Sequence, residues 1–331
     1  MTTEEGEAWS VTRLGYEATR TQMGVDGLLL QQRRRATFLE RIECWRDTER
    51  RVCVTSSATP PSTKSRFDPS SPPPTSRFPT KGRRSAATVE DVDSIDCGLA
   101  WLRRGYDPVV LNLADDCMPG GCVDIGSGAQ EESLFRRTAL CATLRRELYP
   151  IGDDEGVYSP DVAVIKASEA DGWELYADPA PRLAFLTVPG VKYPSCVYQD
   201  ANDRKPRLRP ADEDRLALKV RTMLQIAAAN GHDCVVLGAS GCGAWKCPPD
   251  HVAEVFARVV AEYEGAFRAV TFAVLRDSDD NAAARRAVGV PDNHDAFLIY
   301  FRDVGFAATR KEMRASGFIS GMSASPPPEN K

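Results

Sequence analysis

Two glycine-rich segments carry the residue types that could do chemistry in this 331-residue chain. The first, Pro119-Gly120-Gly121-Cys122-Val123-Asp124-Ile125-Gly126-Ser127-Gly128-Ala129, runs directly into Gln130-Glu131-Glu132. The second is Gly238-Ala239-Ser240-Gly241-Cys242-Gly243-Ala244-Trp245. Each follows a short aliphatic run that reads as a buried strand, 109–113 before the first and 234–237 before the second. A glycine-rich turn at the carboxyl end of a strand lets backbone N–H groups close around a phosphate. Neither segment is a common nucleotide motif. Gly126-x-Gly128 is followed by Glu131 where a dinucleotide fingerprint requires glycine, and Gly243 is followed by Ala244 where a P-loop requires lysine.

The adjacent glutamates open a helix. Neighbouring residues on a helix point about 100° apart, so Glu131 and Glu132 are not the two facing carboxylates of an ordinary glycosidase. The helix dipole favours their ionised forms and burial opposes it. The plain structural alternatives are a solvated helix start for the glutamates, a ligand-free tight turn for Gly238 to Gly243, and a packing aromatic for Trp245.

These segments need a scaffold. Strands are expected at 109–113, 162–165, 183–188, 234–237 and 270–274, and helices at 130–149, 212–230 and 248–263, where apolar residues such as Leu134, Cys141 and Leu144 recur at helical spacing. Alternating strands and helices of this kind predict an α/β fold, a central mixed sheet flanked by helices on both faces. The chain divides into an N-terminal helical segment at 1–54, with Leu39, Ile42 and Trp45 on one face, then a linker at 55–87, an α/β domain at 88–303 and a tail at 304–331. Between Thr55 and Ser85 six basic residues face only Asp68, amid Pro60-Pro61 and Pro72-Pro73-Pro74. Such a composition predicts disorder.

Composition narrows the class. With 42 Lys+Arg against 47 Asp+Glu the net charge is −5, which argues against a general nucleic-acid coat and predicts no direct sequence-specific nucleic-acid binding. The apolar runs fall short of a membrane span and the acidic start is unlike a secretory signal, so a cytoplasmic or nuclear protein without membrane association is expected. Ten cysteines in so long a chain read mostly as reduced thiols. Cys117, Cys122, Cys242 and Cys247 flank the two loops, and either buried inert thiols or a zinc or redox site is compatible with their spacing. His232, His251 and His294 show no ligand spacing and read as structural. The basic run 204–210 reads first as a solvated loop and also as an outer contact for ligand phosphates, and the short cluster Lys81-Gly82-Arg83-Arg84 is weak evidence for a nuclear-localisation signal.

Over roughly residues 88–275 the sequence resembles the bacterial-type poly(ADP-ribose) glycohydrolases of the macro-domain superfamily. That family's signature is a glycine triplet, a spacer of six to eight residues and Gln-Glu-Glu. Gly120-Gly121-Cys122, seven residues and Gln130-Glu131-Glu132 match it except at the third glycine. Leu111-Asn112-Leu113-Ala114 before the loop, Ser133-Leu134-Phe135-Arg136-Arg137-Thr138 after it, and Leu237-Gly238-Ala239-x-Gly241-Cys242-Gly243 resemble the family as well.

The resemblance implies a macro-domain fold, hydrolysis of the ribose-ribose linkage of poly(ADP-ribose), and no metal or other cofactor. It implies Glu132 as general acid/base and Glu131 as holder of ribose hydroxyls. It places Asn112, Asp115, Gly120, Gly121, Gln130 and Gly238 in the ligand site, the diphosphate on the amides of Gly241, Cys242, Gly243, Ala244 and Trp245, and the Trp245 ring on the distal ribose. ADP-ribose or its polymer is the implied ligand and ADP-ribosylated proteins the implied substrates. Cys122, Asp115 and Cys247 depart from the pattern. If residue 122 needs a positive φ, its Cβ costs roughly 1 kcal/mol or more, and Asp115 adds negative charge near a diphosphate. A weakly catalytic ADP-ribose reader and a mono-ADP-ribosyl hydrolase therefore stand as alternatives.

Overall fold

The computed structural model describes residues 25–55, 59–78, 86–198, 205–277 and 291–301. In chain order these form helix α1 (Val25–Thr55), strands β1 (Thr63–Arg66) and β2 (Ala86–Glu90), helix α2 (Ser94–Arg103), strand β3 (Pro108–Ala114), and helices α3 (Gln130–Arg137) and α4 (Leu140–Thr143). There follow β4 (Glu155–Ala163), β5 (Arg182–Pro189), a two-stranded ribbon of β6 (Cys196–Val197) and β7 (Arg207–Leu208), α5 (Pro210–Ala229), β8 (Cys234–Leu237), α6 (Pro249–Glu262), β9 (Ala269–Ala273) and α7 (Asn293–Phe301).

Seven strands make one mixed sheet in the order β1-β4-β5-β3-β8-β9-β2. The run from β5 to β2 is parallel, and β4 and β1 extend it through antiparallel ladders. Parallel strands are buried on both sides, which is why 109–113, 183–188 and 234–237 are apolar without alternation, interrupted only by Asn112 and Thr187. On one face α5, α6 and α7 bury Val220, Met223, Val252, Phe256 and Phe297 against Leu237 and Phe272. On the other, α1 to α4 bury Trp45, Ile95, Leu134 and Leu140 against Val110 and Phe185. Gly98 brings α2 close to β3: a Cβ there would lie 2.6 Å from Val110 Cγ2. Among the described residues no helix is long and apolar enough to cross a membrane.

The α/β class, the flanking helices and the strands at 109–113, 183–188, 234–237 and 270–274 agree with expectation. Three readings need correction. The helix expected over 130–149 stops at Arg137. Thr138 is extended, with φ −136° and ψ 168°, and bridges Val164. Its hydroxyl donates to Leu134 O at 2.8 Å and accepts from Leu140 N at 3.1 Å, while the Arg137 carbonyl accepts from Ile165 N and Lys166 N, so sheet-side bonds win over helical ones. The strand expected at 162–165 begins earlier, at Glu155, and ends at Ala163.

The linker expected at 55–87 is ordered wherever it is described. β1 pairs with β4 from Thr63↔Tyr158 to Arg66↔Glu155, Phe67 N donates to Asp154 O at 2.8 Å, and Gln225 of α5 holds the backbone of Asp68 and Ser71. Farther on, Arg77 donates to the carbonyls of Gly231 and His232, Phe78 N donates to Gly265 O at 2.7 Å, and 86–90 forms the opposite edge strand. Composition misleads here because backbone bonding to a preformed edge supplies what the segment's own side chains lack. The Lys81–Arg84 cluster and the 304–331 tail lie outside the described residues. Trypsin under native conditions should therefore spare the bonds after Arg66 and Arg77; rapid cleavage at both, read by mass spectrometry before the sheet unfolds, would contradict this docking.

Candidate active site

Because β5, β3 and β8 are adjacent and parallel, the loops leaving their carboxyl ends emerge on one edge of the sheet, the usual place for ligands in open α/β folds. Residues 115–129 follow β3, 190–195 follow β5 and 238–248 follow β8.

The first loop is held by side chains from the start of α3. Gln130 accepts from Leu113 N at 2.9 Å and donates to Leu111 O at 2.7 Å and Ser94 Oγ at 3.0 Å. Its amide is thus spent on β3 and α2, and it acts as a scaffold clamp in place of the ligand contact expected of it. Glu131, 3% exposed, accepts from Asp115 N at 2.7 Å with Oε2 and from Gly120 N at 3.1 Å with Oε1, and the Asn112 amide lies 3.4 Å from Oε1. The loop is its first partner, so a ribose hydroxyl would have to share these oxygens. Glu132, 6% exposed, accepts from Cys122 N at 3.0 Å with Oε1, while its Oε2 is buried with no protein partner.

Glycines make room for this. Gly121 has φ +52°, and a Cβ on it would lie 2.8 Å from Glu132 Oε1 and 3.2 Å from Glu131 Oε2. Gly120 has φ +80° and sits on the Phe135 ring. Cys122, in contrast, has φ −105° and ψ 34°, so the strain anticipated for a non-glycine residue there is absent. Burial drives the Glu131 carboxyl up to about 8 against the opposing pull of the Asp115 and Gly120 amides, with the Glu132 charge pushing the same way as burial.

The far half of this loop rests on α1, which the sequence reading set apart as a separate segment. Trp45 Nε1 donates to Asp124 Oδ1 at 2.7 Å, and the Trp45 ring lies 6.0 Å from Phe135, the ring beneath Gly120. Gly126 abuts the Phe38 carbonyl and Gly128 abuts Arg41, which forks onto Glu169. The buried face of α1 is Cys44, Trp45, Thr48 and Val52; Leu39, expected on it, is exposed. The tryptophan was the available signal.

In the second loop, Gly241 has φ +75° and a Cβ there would lie 2.6 Å from Cys247 Sγ, which donates to Val191 O. Cys247 is therefore packing beneath the turn, its thiol pushed up to about 12 by burial. Cys242 N donates to Ala239 O, which removes it from the expected set of phosphate donors. Among the described residues the N–H groups of Gly241, Gly243, Ala244 and Trp245 have no protein acceptor. Ser240 Oγ, which sequence reasoning missed, is fully buried and unpartnered, and Gly190 seats the Trp245 ring. Gly238 turns the chain against Leu113. Tyr149 OH, also buried and unpartnered, has its ionisation opposed by burial, Glu131 and Asp115.

The cysteines flanking the loops do not converge: Cys117 and Cys122 are exposed, Cys242 and Cys247 buried, and among the described residues the only candidate cation cluster is Asp115, Asp116 and Cys117, where Lys192 already pairs with both aspartates. His232 bonds Tyr158 OH and His251 accepts from Leu208 N, the structural roles expected. From the basic run, Arg207 forks onto Glu254 of α6.

Residues 36–167 match the model of the microbial-type PARG catalytic domain, PARG being poly(ADP-ribose) glycohydrolase. Over that segment the chain is similar to the PARG catalytic domain. Solved structures agree: the chain is similar to PARG of Thermomonospora curvata bound to the inhibitor ADP-HPD (25% identity, 82% of this chain, 100% of that one, TM-score 0.57). A point mutant of that enzyme matches at 28% identity over 67% of this chain and 80% of that one, TM-score 0.54. PARG of Deinococcus radiodurans in complex with ADP-ribose matches at 26% identity over 66% and 85%, TM-score 0.54. No curated protein matches the chain. The PARG match starts inside α1, consistent with that helix backing the glycine loop.

Two outcomes follow. A carboxyl raised from 4.5 to about 8 leaves the folded state holding more protons than the unfolded one across that interval, so Glu131 makes stability fall as pH rises from 4.5 to 8. Glu131→Gln should flatten the pH dependence of urea-unfolding stability there by on the order of a few kcal/mol; an unchanged slope would place the Glu131 titration elsewhere. Since Cys122 is unstrained, Cys122→Gly should lower stability by about 0.5–1 kcal/mol through the freer unfolded chain, whereas a gain would reveal hidden strain.

Proposed function

We propose that this protein hydrolyses the ribose-ribose linkage of poly(ADP-ribose) and releases ADP-ribose, with Glu132 as general acid/base. The carrying observation is Glu132 Oε2, buried in the wall of the glycine loop with no protein partner. Its sister oxygen is fixed by Cys122 N, so the carboxyl is oriented while one oxygen stays available to a ligand. The glycine at 121 lets both glutamate carboxyls close onto the loop backbone, where a Cβ would lie 2.8 Å from Glu132 Oε1.

In this reading the ADP-ribose diphosphate lies on the unpaired amides of Gly241, Gly243, Ala244 and Trp245, and the Trp245 ring packs on the ribose. Glu132 donates a proton to the departing ribose oxygen as positive charge builds on the anomeric carbon, then takes a proton from the water that attacks that carbon. Glu131 keeps the loop shaped around it, and Asn112 and Asp115 act through Glu131 and the turn. ADP-ribosylated proteins are the proposed carriers of the polymer.

A reader without turnover was motivated by Cys122, Asp115 and Cys247. The unstrained backbone at Cys122, the ion pair at Asp115 and the packing of Cys247 favour the hydrolase instead. Release of ADP-ribose from labelled polymer should fall by about 10²–10⁴-fold in Glu132→Gln, with ADP-ribose binding retained by calorimetry. Binding with no release from the wild type would move the protein to the reader class.

A further inference from the structure

Lys192 joins three loops that meet at the site. It stands in the turn after β5, two residues beyond the glycine that seats Trp245. Its ammonium donates to Asp115 Oδ2 at 2.7 Å and to Asp116 Oδ1, and lies 5.2 Å from the centre of the Trp245 ring, over its face. Asp115 is itself a junction. Its backbone N–H binds Glu131, and its Oδ1 accepts from Cys117 N and Met118 N to shape the turn leading into Gly120. One cation therefore touches the anchor of the glutamate loop and the aromatic of the phosphate loop.

The charges need such a cation. Asp115 and Asp116 lie side by side on the edge of the sheet where the PARG reading seats a diphosphate, and two uncompensated carboxylates there would repel it. We propose that Lys192 is a charge-balancing positioning residue for the anionic ligand: it neutralises the Asp115–Asp116 pair and fixes Trp245 against the ligand's ribose. An unpaired Asp115 would also be free to rotate out of its turn, loosening the backbone donors that hold Glu131. Lys192 thus adapts this chain to an aspartate in the position after the β3 strand.

This inference rests on the PARG reading, and its test separates the two. Free ADP-ribose is titrated by calorimetry into wild type, Lys192→Met, Lys192→Arg and the double variant Lys192→Met/Asp115→Asn, each shown folded by circular dichroism. In the same variants kcat and KM are read from polymer hydrolysis. The expected result is affinity about tenfold or more weaker in Lys192→Met, largely kept in Lys192→Arg, and partly restored in the double variant, with KM moving more than kcat. Salt should narrow the gap between wild type and Lys192→Met, because the loss is electrostatic. Equal affinity in wild type and Lys192→Met overturns the proposal while leaving the PARG reading intact. So does a loss that Asp115→Asn does not relieve, which would make Lys192 a purely structural prop. Wild type that binds no ADP-ribose defeats the PARG reading and this proposal with it.

Discussion

The site depends on one buried carboxyl group. Glu131 is nearly sealed from water, yet it gathers backbone N–H groups from Asp115 at the end of β3 and Gly120 within the loop. Burying a carboxyl is costly unless its oxygens are bonded, and burying those amides is equally costly without an acceptor. Each side solves the other's problem, and the result is a glycine loop whose shape is imposed from the helix behind it. The loop needs positive φ at Gly120 and Gly121 and carries little packing of its own, so without this buckle it would have no reason to hold one conformation.

The helix that supplies the buckle must itself be immobile. At its start Gln130 ties it to the backbone of β3. At its end Arg137, fully buried, pairs with Asp93 and Asp96 at 2.5 Å each, which binds α3 to the first turn of α2. Arg136 reaches back to Ser127 O at the foot of the loop. A short helix pinned at both ends turns the angular offset between adjacent residues into a division of labour: Glu131 holds the N–H groups of Asp115 and Gly120, and Glu132 bonds Cys122 N with one oxygen and leaves the other, buried, without a protein partner. Two glutamates in sequence therefore need not be equivalent in chemistry.

What the sequence disclosed were features carried by contiguous residues. The Gln130-Glu131-Glu132 string, the glycines at 120, 121 and 241, and the apolar runs of the parallel strands each owe their structure to neighbours close along the chain, so type and spacing suffice to find them. What escaped is held by partners distant in sequence. Lys192 is an isolated lysine between Val191 and Tyr193, and only the fold sets it on Asp115, 77 positions earlier. Residues 63–66 have the composition of a disordered arm, and only the edge of β4 makes them a strand. Gln130 looked like a ligand donor because of where it stands in a motif, while its actual partners are Leu111, Leu113 and Ser94. Adjacent Asp115 and Asp116 were nonetheless a usable clue, since two neighbouring carboxylates on one turn call for a cation, and Lys192 supplies it.

The placement of α1 shows why a motif-bounded domain is too small a unit here. A loop with glycines at 120, 121, 126 and 128 has a side with almost no side chains, and something must cover it or its polar backbone faces water and moves. Trp45, Phe38 and Arg41 are that cover, with the indole N–H fastened to Asp124. Gly126 and Gly128 admit the helix on that side, so α1 is the back wall of the glycine loop. Farther along the chain β1 closes the antiparallel side of the sheet. Helix α1 and strand β1 thus contribute to the domain in two places, one behind the loop and the other along the sheet edge.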